Sequence, residues 1–139
     1  MTMNEIRFRA AVPQFAVPDV VRTAEYYRDV LGFEIAGYWD GERVTEAPST
    51  PPPVFVIVQR DDVHFHFSRA EGDEGRTAGA DGSYAAYIHI TGVDALAAEL
   101  RARGAEILDE PEDRVYGQRE LVIRDCNGLV LAFGERTTS

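Results

Sequence analysis

The chain has 139 residues, 45% of them hydrophobic, and a formal net charge of −10 from 14 basic and 24 acidic side chains. That length supports one domain with its own core, while the charge argues against a nucleic-acid partner, whose phosphates it would repel, and favours a cationic ligand. No apolar run reaches the roughly 20 residues of a membrane span, residues 1–9 lack the apolar stretch of a secretion signal, and the single cysteine, Cys126, leaves no intrachain disulfide, which together point to a cytoplasmic protein.

Residues 12–17 are apolar apart from Pro13 and Gln14 and predict a strand. Pro18 stops it, and Asp19 offers an N-cap oxygen to a helix whose apolar stripe is Val20, Ala24, Tyr27 and Leu31. Gly32 can take the left-handed conformation that ends that helix. Residues 33–39 read as a strand, and residues 42–53, polar and proline-rich, as a loop. Residues 54–58 form a continuous apolar run, a buried strand. After a turn at Asp61-Asp62, residues 63–68 alternate strictly, as a strand with two different faces does. Residues 70–83, rich in glycine and charge, predict a linker between modules spanning about 10–69 and 84–135.

In the second module, residues 86–91 predict a strand with Tyr87 and His89 on one face and Ile88 on the other. Thr91 to Asp94 has the form of a capping box, followed by a helical stripe of Val93, Leu96, Ala97 and Leu100 that Gly104 ends. Ile107-Leu108 reads as a short strand, residues 109–114 as an acidic loop, and residues 120–124 and 129–133 as strands joined at Asn127-Gly128.

The two halves repeat each other. Gly32-Phe33-Glu34-Ile35 returns as Gly104-Ala105-Glu106-Ile107, and Val58-Gln59-Arg60-Asp61 as Val122-Ile123-Arg124-Asp125, in the same order. A repeat of strand, helix and further strands predicts two βαβββ modules, an α+β fold with a curved sheet and a cleft between the halves.

Val17-Pro18-Asp19-Val20 with Tyr26 to Phe33, and Tyr116-Gly117-Gln118-Arg119-Glu120 with Arg124 to Gly128, resemble the opening and closing signatures of the vicinal oxygen chelate superfamily. This superfamily includes glyoxalase I, extradiol dioxygenases, fosfomycin-modifying transferases and bleomycin resistance proteins. The resemblance runs from about residue 11 to 135. Ala11-Val12-Pro13, Gln59 to Val63 and the run from Tyr116 to Glu120 are most similar to the bleomycin resistance group.

The enzymes of that superfamily hold a divalent metal with His, Glu or Gln from the first and last strands of each module. Carried over, those positions fall on Val12, His66, Tyr87 and Ala132, and only His66 is a ligand of the expected type. A displaced set of Gln14, His66 and His89 could take Fe, Mn, Ni or Zn and would make the protein a lyase, isomerase or dioxygenase. The favoured expectation is no metal, no cofactor and no catalytic residue. It places a small-molecule cleft at Gln14, Phe33, Tyr38, Trp39, His64, His66, Ser68, Tyr87, His89, Tyr116 and Glu120. Such aromatic and polar linings suit a flat, cationic, antibiotic-like ligand. The resemblance also implies a homodimer with a swapped N-terminal strand and a role in antibiotic resistance by sequestration. A structural dimer with a vestigial cleft is the remaining alternative.

Overall fold

The computed structural model describes residues 5–48, 50, 52–71 and 83–137. Each half forms one βαβββ module. The first contains β1 (Gln14–Val17), α1 (Val20–Asp29), β2 (Glu34–Trp39), the short β3 (Val44–Thr45), β4 (Phe55–Arg60) and β5 (Val63–Arg69). The second contains β6 (Ala86–His89), α2 (Val93–Ala102), β7 (Glu106–Asp113), β8 (Gln118–Arg124) and β9 (Val130–Arg136). The sheets run β1-β5-β4-β2-β3 and β6-β9-β8-β7, with β1–β5 and β6–β9 the parallel pairs. No helix among the described residues is long and apolar enough to cross a membrane.

Local sequence explains α1. The Asp19 carboxylate accepts the Arg22 amide at 3.0 Å, all four stripe residues are buried, and Gly32 ends the turn at φ 77°. At α2 the expected capping box does not form. Gly92, not Thr91, is the N-cap, in the left-handed region at φ 88° and without a side-chain oxygen to offer. Glu135 of β9 replaces it, its carboxylate accepting the Gly92 and Val93 amides at 3.0 Å each.

Three strand expectations are corrected. β1 starts at Gln14, because Pro13 has no amide for the ladder. β3 lies inside the expected loop of residues 42–53. The expected acidic loop after Leu108 is mostly strand: β7 runs to Asp113 with two register shifts. As an edge strand it can hold Pro111 without losing an inner hydrogen bond. Residues 72–82 of the expected linker lie outside the described residues.

One core joins the modules. Tyr27 and Leu31, Val93 and Leu100, and the helix-facing residues Val58, Phe65, Phe67, Leu121, Ile123 and Leu131 belong to a single buried cluster. Tyr27 ties the halves further, donating to Asp125 at 2.7 Å from inside the core. Strand alternation therefore sends the even-numbered residues of β5 and β8 to the outer faces, where His64, His66, Ser68 and Glu120 stand.

Candidate functional site

Glu120 is the centre of the most organised polar group on these faces. It has no exposed surface. Tyr87 donates to one carboxylate oxygen at 2.6 Å, while Tyr116 at 2.7 Å and Arg114 Nε at 3.1 Å donate to the other. Burial works against its charge, but these three donors prevail and hold the carboxyl below its usual range. Tyr87 is raised in turn, by burial first and then by its bond to Glu120. Arg114 also donates to Glu112 at 3.0 Å and Asp109 at 3.3 Å. One guanidinium thus serves three carboxylates, and the cluster is net negative.

Register makes this arrangement possible. Glu120 pairs with Gly134 on β9, and Gly134 with His89 on β6. A Cβ at Gly134 would overlap the Tyr87 phenol. With no side chain there, Tyr87 lies across the sheet and reaches Glu120. Its ring also meets Tyr84 at 6.2 Å and His89 at 5.1 Å between centroids.

The other expected site residues are spread over separate hollows and strands, and only His64 and His89 adjoin this group, through Tyr87. Trp39 lines an apolar hollow of about 440 Å³ with Val44, Phe55 and Ile57. His64 shares a second hollow of about 230 Å³ with Tyr87, His89 and residues 10–13. Gln14 lies opposite His66 across β1–β5, and the His66 ring meets Phe55 edge-on at 5.3 Å. Ser68 pairs with Ala16 and Phe55. Phe33 and Tyr38 are largely buried in the core, Phe33 packed on Tyr27 and Phe65, while Tyr38 also borders the Trp39 hollow. Sequence reading missed Arg114, hidden in the supposed loop. It also missed Phe55 and Ile57, whose face a continuous apolar run does not reveal.

The register also corrects the carried-over metal positions. Gln14, not Val12, is opposite His66, just as Tyr87 is opposite Ala132. Gln14 and His66 could form half a site. The other half does not fit: Ala132 has no donor atom, and the Tyr87 hydroxyl is committed to Glu120 and resists losing its proton. His89 lies one row further along β6, opposite Gly134, rather than in the Tyr87–Ala132 row that matches Gln14 and His66. Among the described residues, no three His, Cys, Asp or Glu side chains gather in a way that could hold a metal ion.

Paired βαβββ modules with their polar residues on the outer sheet faces define a glyoxalase-like fold. The chain belongs to the Glyoxalase/Bleomycin resistance protein/Dioxygenase superfamily, whose family model matches residues 9–133. Among solved structures, it is similar to the bleomycin-binding protein of Streptomyces verticillus in complex with copper(II)-bleomycin, at 27% identity and a TM-score of 0.64 over 97% of this chain and 100% of that one. It resembles the bleomycin resistance determinant encoded on transposon Tn5 at 18% identity and a TM-score of 0.69, over 94% and 100% of the two chains. A glyoxalase-related enzyme from Clostridium phytofermentans gives 19% identity and a TM-score of 0.72 over 96% and 98%. No curated protein matches the chain in sequence.

Proposed function

We propose that this protein binds a small, flat, cationic molecule on the outer faces of its sheets and acts by holding it, without a metal and without breaking a bond. The Glu120 group carries the reading. A buried, ionised carboxylate held by two phenols, in a cluster with excess negative charge, attracts a cation to an aromatic surface. The apolar hollow at Trp39 and Phe55 offers a surface for a flat ring. The similarity to a bleomycin-binding protein supports an antibiotic-like ligand and a resistance role.

The same reading includes a homodimer. The Trp39 hollow and the Glu120 group lie on different sheets, and a second copy could bring one against the other. Ile6 and Phe8, 84% and 95% exposed, precede Pro13 and have almost no cover from their own chain. We propose that residues before Pro13 cross to the second copy, while β1 keeps its pairing with β5. Light scattering at micromolar concentration should give twice the chain mass; a monomer would exclude this assembly.

Titration with copper-free bleomycin, followed by Trp39 fluorescence, tests the ligand. Trp39→Ala and Tyr116→Ala should each weaken binding about tenfold, the loss of roughly 1.4 kcal/mol of aromatic contact. Unchanged affinity in both, read by calorimetry, would refute the site. The Gln14–His66 pair favours one rival, a metal-dependent enzyme. Near-stoichiometric retention of Fe, Mn, Ni or Zn after desalting, lost in His66→Ala, would establish that rival instead.

A further inference from the structure

Away from the outer faces, a crevice of about 630 Å³ opens at the junction of the modules, between the turn joining β4 to β5 and the first turns of α2. That volume lies within the roughly 300–1,000 Å³ of small-molecule pockets. Its floor is core: Phe33, Ile88 and Phe133 each keep 5–7% exposure here, where most of their core neighbours keep almost none.

The polar groups around it determine which ligand charge fits. The leading amides of α2, at Gly92 and Val93, and the Arg60 guanidinium are the groups an anion would seek first, and they are engaged. Glu135 accepts from Gly92 and Val93. Arg60 is held by the Leu31 carbonyl at 2.8 Å and by both oxygens of Glu99, at 2.8 and 3.1 Å. Glu99 is shared between Arg60 and, at 3.7 Å, Arg103, which lies outside the crevice lining, and Asp61 and Asp62 stand at the mouth. Both are exposed, and neither carboxylate has a hydrogen-bond or ion-pair partner among the described residues.

We propose that this crevice is a second ligand site, for a small amphipathic cation: an apolar ring or short chain seated on Phe33, Ile88 and Phe133, with an ammonium group at Asp61 and Asp62. The site is independent of Glu120 and does not need the outer-face reading to hold.

Phenethylammonium and its neutral analogue 2-phenylethanol are the probes, titrated into the full-length protein at low salt and followed by amide chemical shifts. The ammonium should give saturable shifts at Ile90, Thr91 and Ala95. The alcohol should bind about fivefold more weakly, the size of one partly screened charge contact. Asp61→Asn with Asp62→Asn should reduce the ammonium to the level of the alcohol. Asparagine suits the left-handed backbone of Asp61, at φ 50°. Ala95→Trp, at an exposed position of α2, should fill the crevice and abolish binding of both probes. Thr91→Arg, which sets a cation at the mouth, should weaken only the ammonium and serves if the tryptophan variant does not fold. Glu120→Gln should change nothing here while weakening the outer-face ligand, so each site can fail alone. Equal binding of the two probes, shifts confined to Tyr87, Tyr116 and Glu120, or undiminished binding in both Ala95→Trp and Thr91→Arg would overturn the proposal.

Discussion

The outer faces of the two sheets share one register and carry different chemistry. In the first sheet, Gln14, His66 and Ile57 form one row and Ala16, Ser68 and Phe55 the next. In the second, the same rows hold Tyr87, Ala132 and Val122, then His89, Gly134 and Glu120. Where the first sheet sets an imidazole against an aromatic ring, the second removes bulk at both central positions, and a phenol leans into the space to reach a carboxylate. The turns diverge as well. Asp61 is exposed and itself takes the left-handed conformation. Its counterpart Asp125 is buried, accepts the Asn127 and Leu129 amides at 2.8 Å each and the Tyr27 hydroxyl at 2.7 Å, and leaves the positive φ to Gly128. A repeated fold therefore fixes where a residue stands, and its neighbours in the row fix what it can do.

The turn aspartates give the sharpest test of that contrast. Asp125→Ala leaves two backbone amides and a core hydroxyl without their acceptor, and should cost about 3 kcal/mol in denaturant unfolding. Asp61→Asn, at a surface position whose left-handed backbone asparagine tolerates, should stay within about 0.5 kcal/mol. Equal losses would mean that the two turns do the same work, and the comparison would break there.

Gly134 and Ser68 occupy the same place in the two registers and test the rows directly. Gly134→Ala should push the Tyr87 phenol off Glu120 and cost about 2 kcal/mol, the range of a hydrogen bond to a charged group. Tyr87 should then titrate closer to an ordinary tyrosine, which ultraviolet absorbance against pH would show. Ser68→Ala should be nearly silent. A Gly134→Ala variant with an unaltered tyrosine titration would show that Tyr87 does not need the open position.

Most of the fold was legible because the repeat and the alternation are local signals. The stripe from Val20 to Leu31 and the strict alternation of residues 63–68 named the buried side chains correctly. What escaped depends on distant parts of the chain. Glu135 caps α2 from 42 residues away, so the Thr91-to-Asp94 motif pointed to the wrong cap. β7 is a strand because β8 pairs with it, despite its charge and its proline. Of the site, Glu120, Tyr87 and Tyr116 were readable from alternation and motif. Arg114 was not, since its role appears only once β7 and β8 are laid side by side. Phe33 and Tyr38 carry aromatic rings that suit a pocket as well as a core, and packing around Tyr27 and β4 buries most of each while leaving an edge on a cavity wall, which no local pattern reveals.

Acid titration of stability is the finest of these contrasts, because the two buried carboxylates shift in opposite directions. Glu120 is held low by its three donors despite its burial. Its contribution is therefore present above the unfolded carboxyl pKa of about 4.3 and lost as pH falls through its folded value. Asp125 is raised, because desolvation outweighs the bonds from Tyr27 and the turn amides. Its contribution is full below the unfolded pKa of about 3.9 and declines as pH rises through its folded value. Relative to the wild type, Glu120→Gln should lose its stability penalty as pH falls, and Asp125→Asn should lose part of its penalty as pH rises. Urea unfolding across the acid range reads both slopes. A Glu120→Gln penalty that instead shrinks as pH rises would show that burial outweighs the three donors, and the Glu120 group would no longer favour the charged form that the outer-face reading needs.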